Sequence, residues 1–137
     1  MVRLSMILTL IFLASNVYGQ EKATLLRDKF KGNIALSGDE FANTTLTLEH
    51  KPSVEQGNFT LDELFPGSKF EKPAHVTTTG DWTVLKGVTN KNGKIIELNA
   101  MGGRILFFLW LKNGSVQHLD MNMHEMYPAP KHILRKQ

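Results

Sequence analysis

The sequence predicts an all-β protein, a small antiparallel barrel of about eight strands behind a short N-terminal segment. Three observations predict it. Short runs rich in Val, Ile, Thr and aromatic residues follow one another, divided by Gly, Asn, Asp and Pro. Asn92-Gly93 and Asn113-Gly114 are hairpin signals of the two-residue type. No two strands are separated by a convincing crossover helix, so the sheet is antiparallel, and closing it removes both edges.

Residues 1–19 read as a cleavable signal peptide. Arg3 supplies the positive start, Leu4 to Ala14 is the apolar run, and Val17-Tyr18-Gly19 precedes the cut. A membrane helix needs about twenty apolar residues, more than this run offers. The expected destination is the periplasm or the exterior. Residues 20–28 are read as a linker or short helix over a barrel end, because Glu21–Lys29 (EKATLLRDK) has good helix formers but only about two turns. The barrel is expected over 29–127.

Phe30–Leu36 (FKGNIAL) alternates, and Ser37-Gly38-Asp39-Glu40 turns the chain. Asn43–Glu49 (NTTLTLE) puts Leu46 and Leu48 on one face. Asn58–Leu64 (NFTLDEL) alternates again after His50-Lys51-Pro52-Ser53. Pro66-Gly67-Ser68 is a strong turn. His75–Leu85 (HVTTTGDWTVL) is β-branched, with Gly80 as a bend or bulge. Lys94–Asn99 (KIIELN) follows the first Asn-Gly pair, and Gly102-Gly103 opens Arg104–Leu111 (RILFFLWL). Ile105–Leu111 is apolar on both faces, which signals burial on both sides and calls for a cover. Ser115–Asp120 (SVQHLD) follows the second Asn-Gly pair. Met121–Met126 (MNMHEM) reads as the last strand, ahead of a basic tail over 128–137.

Composition narrows function more than it assigns it. The 137 residues argue for one domain, and 42% hydrophobic with 21% charged is close to the globular average, against disorder or coiled coil. The absence of Cys excludes disulfides, thiol catalysis, Cys-ligated zinc and a Cys-linked lipid anchor. A net charge of +3 with no basic stripe does not suggest nucleic acid. No Gly-x-Ser-x-Gly elbow and no phosphate-cradling loop before a helix is present, so the expectation is a protein without catalytic activity. Asp39, Glu40, Asp62, Glu63 and Glu71 are read as a solvated face, since adjacent acids on a strand point apart. The Asn-x-Ser/Thr sequons at Asn43, Asn58 and Asn113 would matter only in a eukaryotic secretory pathway.

The run Phe30-Lys31-Gly32-Asn33-Ile34-Ala35-Leu36-Ser37-Gly38-Asp39-Glu40-Phe41-Ala42-Asn43-Thr44-Thr45-Leu46-Thr47-Leu48 resembles the N-terminal domain of the NlpE family of copper-resistance and envelope-stress lipoproteins. Gly80-Asp81-Trp82-Thr83-Val84 is similar to its later Gly-x-Trp strand, and Leu111 to Asp120 to its closing segment. The resemblance covers about residues 29–127. It implies a lipocalin-like barrel outside the inner membrane of a bacterium, a role in copper resistance or envelope-stress sensing, and an envelope protein as partner. The family's two Cys fall on Leu36 and Asp39, and its lipobox Cys is missing. The thiol chemistry and the anchoring therefore do not carry over.

Two sets of residues are candidate sites. His118, Met121, Met123, His124 and Met126 bring imidazole and thioether ligands together, which suits Cu(I), so copper is the candidate cofactor. If extended, Met121 and Met123 share one face, and His124 and Met126 the other. Core packing by Met is the competing reading. His50, His75 and His132 are scattered, although His132 could join His124. Trp82, Phe107, Phe108 and Trp110 are candidates to line a ligand cavity, against the alternative of a barrel filled by side chains. A carrier of a small apolar molecule and a protein-interaction module are the alternatives to the stress role.

Overall fold

The computed structural model describes residues 24–35 and 41–137. Among them, eight strands form a closed barrel: β1 (Leu26–Ala35), β2 (Phe41–His50), β3 (Gln56–Phe65), β4 (Ala74–Val84), β5 (Gly93–Ala100), β6 (Ile105–Leu111), β7 (Val116–Leu119) and β8 (Ile133–Lys136). Each strand pairs antiparallel with the next, and β8 returns to β1. The only described helix is a 3-10 turn at Ala129–His132. No described helix is long and apolar enough to cross a membrane. The expected signal segment and the Ser37–Glu40 turn lie outside the described residues, as do Leu36 and Asp39.

The period-two pattern sends one side of every strand inward. Phe30, Leu46, Leu48, Phe59, Leu61, Trp82, Leu98, Phe108, Val116 and Leu134 meet there in one packed core. A second, smaller core lies outside the barrel wall. Ile95, Leu109 and Leu119 form it, with Phe107 and Leu111 beside them and Leu85 and Met123 packed on top. This answers the two-faced apolarity of Ile105–Leu111. The loops after β4 and after β7 leave opposite ends of the barrel and are tied over this face by Asn92 Nδ2 donating to Glu125 Oε1 at 3.1 Å.

Three boundaries differ from the sequence reading. Leu26–Lys29 are strand, in register with His50 back to Thr47 of β2, with Arg27 ion-paired to its partner Glu49 and the Asp28 carboxylate meeting the His50 ring on the diagonal. Their helix propensity loses to these partners. Met121–Met126 do not form the last strand. The Asp120 carboxylate accepts N–H bonds from Asn122 and His124, each at 2.9 Å, and winds the chain into a turn with Met123 at φ 62°. The closing strand lies instead in the expected tail. Leu134 is fully buried there, and Gly32 lets β8 approach, since a Cβ at that position would sit 2.8 Å from the Ile133 carbonyl.

A candidate binding site at the barrel mouth

In an up-and-down barrel, alternate loops share an end. The loops β2–β3, β4–β5 and β6–β7 therefore surround one mouth, where β1, β3, β5 and β7 begin. Inward positions near this end carry Asp28, His50, Trp82, Trp110 and Lys136, by their ladder register with the core residues.

Trp82 and Trp110 meet with ring centroids 6.2 Å apart and planes at 66°. Phe30 packs edge-on below Trp110 at 5.7 Å, and His50 edge-on against Trp82 at 5.8 Å. Such edge-to-face contacts fix ring orientation. Trp82 is 2% exposed, and its indole N–H is satisfied by the Glu49 carbonyl at 3.0 Å. Trp110 is half-buried.

A polar network sits beside the aromatics. His50 Nε2 is 2.8 Å from Asp28 Oδ2, and His50 Nδ1 is 2.9 Å from the Lys51 carbonyl. Lys136 Nζ reaches the other Asp28 oxygen at 3.5 Å. Both ring nitrogens of His50 thus face oxygen acceptors, and both Asp28 oxygens face donors.

Above these groups opens a cleft of about 810 Å³, lined by Trp82, Trp110, Leu111 and Val54, with Lys91, Lys94, Lys112 and Glu55 among its polar residues. A volume of that size suits one small molecule, and apolar walls with a few polar groups are the usual make-up of such sites. A neighbouring cleft of about 740 Å³ shares His50, Val54 and Trp82.

Of the expected cavity residues, the fold brings Trp82 and Trp110 to this mouth. Phe108 is 1% exposed in the core, 5.0 Å from the His118 ring. Phe107 faces outward into the second core. A segment apolar on both faces gives no parity signal, which is why the two Phe were not separable by sequence. The lysine rim and the Asp28–His50–Lys136 network were not anticipated. The hairpin signals could have placed the rim, because Lys91, Lys94 and Lys112 flank the two Asn-Gly turns, which must share an end.

The five expected copper ligands divide. His118, Met121 and Met126 line one groove of about 500 Å³ at the opposite end of the barrel. Met123 is spent in the second core, and His124 is exposed. Among the described residues, no three His, Cys, Asp or Glu are grouped to hold a metal ion. Burial, with smaller contributions from His132 and Arg104, lowers the His118 pKa to about 4, so its ring is neutral near pH 7. His132 is buried and also lowered, by burial and then by Lys131, and its Nδ1 has no hydrogen-bond partner. The Asp120 carboxylate is held below its ordinary value, chiefly by the backbone N–H of His124.

Comparison of the chain with protein-family models, with curated proteins and with solved structures finds no match.

Proposed function

We propose that this protein is a non-catalytic binding barrel that receives the apolar body of a small molecule in its mouth, against Trp110, with the buried Trp82 packed behind it. One observation carries the reading: the chain's two Trp residues come from different strands and meet in the wall of a mouth cleft, where the aromatic core reaches the surface at Trp110. The interior below is packed with side chains, so the ligand site is the mouth and not a hollow barrel. Because both Trp residues of the sequence lie there, the whole tryptophan emission reports on this site. Titration with the uncharged apolar dye N-phenyl-1-naphthylamine is expected to quench that emission saturably and to light the dye by energy transfer. Tryptophan emission unchanged up to the dye's solubility limit overturns the reading.

A second reading is supported by the groove of His118, Met121 and Met126. A neutral imidazole and two thioethers fit a soft monovalent ion such as Cu(I), consistent with the exported, copper-related role that the resemblance to NlpE implies. In this reading the barrel serves the bacterial envelope by binding copper or by reporting stress to an envelope partner. Competition for Cu(I) against a colorimetric chelator tests it. The variant carrying Met121→Leu and Met126→Leu is expected to lose the binding, and equal affinity of variant and wild type overturns it.

A further inference from the structure

We infer that the mouth selects organic acids: molecules with an apolar chain or ring that lies on the exposed side of Trp110, backed by the buried Trp82, and a carboxylate that the lysine rim receives. The inference rests on the proposed binding role and adds the charge class of the ligand.

The cleft is apolar on its floor and cationic on its rim. Lys91, Lys94 and Lys112 line it, and Glu55 is the one carboxylate among its lining residues. Lys94 Nζ lies 3.3 Å from Glu55 with both side chains at least half exposed, a pairing that water already weakens. Lys91 and Lys112 make no ion pair among the described residues. The cleft therefore holds an excess of positive charge.

The nearest buried carboxylate does not oppose an incoming anion. Asp28 is engaged on one oxygen by His50 and on the other by Lys136. A cation entering the mouth would find only Glu55, already beside Lys94, against three lysines that repel it, whereas an anion finds flexible ammonium groups that can close on it. Concave low-dielectric walls strengthen such contacts relative to open water. The apolar floor supplies affinity, and the rim supplies the choice of head group.

Displacement of N-phenyl-1-naphthylamine by decanoate and by decan-1-ol, below their aggregation limits at pH 7.5, isolates the head group. Decanoate is expected to compete about tenfold better than decan-1-ol, and to lose that advantage in high salt. The double variant Lys91→Gln, Lys112→Gln is expected to weaken decanoate about tenfold and leave decan-1-ol unchanged. The pair Lys69→Gln, Lys72→Gln, in the β3–β4 loop at the other end, is expected to change neither. Equal competition by acid and alcohol, competition by neither, an unaltered decanoate affinity in the rim variant, or an equal loss in the distant variant each overturns the inference. In all of these the dye still binds. Failure of the dye itself to bind counts against the binding role and not against the head-group argument alone.

Discussion

Trp82 on β4 donates its indole N–H to the Glu49 carbonyl on β2, 3.0 Å away, although β3 lies between the two strands. The residue it passes is Gly57, its register partner on β3. An added Cβ at Gly57 would run into the Glu49 carbonyl itself. The glycine therefore lets the Glu49 carbonyl of β2 sit close against β3, where the Trp82 indole N–H reaches it, and that hydrogen bond anchors the aromatic wall of the mouth.

Gly57→Ala tests this directly. The clash is with backbone, so the ladder must shift and the indole hydrogen bond is lost with it. A destabilisation of about 3 kcal/mol is expected, from overpacking plus an unsatisfied buried donor. Urea unfolding followed by circular dichroism measures it. The tryptophan emission of the folded variant is expected to move to longer wavelength as the ring becomes wetter.

Asp28 has two partners that depend on it. Asp28→Asn removes the charge that His50 and Lys136 share, and the His50 contact carries most of the effect because both its side chains are largely buried, at 14% and 19% exposure. The expected cost is about 1.5 kcal/mol, typical of a hydrogen bond to a charged group. Lys136 is half exposed and contributes little. In a double-mutant cycle with His50→Gln, the two losses are expected to be clearly less than additive.

Lys51-Pro52-Ser53-Val54 closes with Val54 N–H donating to the Lys51 carbonyl at 3.1 Å, and Ser53 has φ 61°. Pro followed by a positive φ is the arrangement of a type II turn, in which glycine is preferred at the third position. Ser53→Gly is expected to stabilise the protein by about 0.5 kcal/mol, the relief of left-handed strain outweighing the added freedom of the unfolded chain. The urea midpoint should rise without a change in slope.

Seven strands and their order were legible in the sequence, because alternation and turn residues are local signals. The eighth was not. Ile133–Lys136 has two apolar residues ahead of two basic ones, and its strand character comes from β1 and β7, which sequence does not display. Met121–Met126 misled in the opposite direction, since its spacing suits a strand but the Asp120 carboxylate captures the backbone first. The site was half legible. Trp82 and Trp110 stood out as aromatics, but the lysine rim is assembled from separate loops, and the Asp28–His50 contact joins residues 22 apart in the chain.

His118 makes folding pH-dependent in a defined window. Its pKa in the folded state is about 4 against an ordinary value of 6.5, with burial as the leading cause. Between those values the unfolded chain takes up the proton and the folded chain does not, so acid favours unfolding. The contribution is complete above pH 6.5 and is lost as pH falls towards 4, and the full shift corresponds to about 3 kcal/mol. His132 is lowered in the same direction and adds to the loss. Asp120 is lowered from 3.8, so its own loss begins only in more acidic solution and leaves this window clear. Urea unfolding at pH 7.5 and pH 4.5 is expected to show the wild type clearly weaker in acid. His118→Gln keeps a polar side chain that does not titrate, and it is expected to remove more than half of that difference. An acid sensitivity as large in the variant as in the wild type would place its origin elsewhere than in the imidazole packed 5.0 Å from the Phe108 ring.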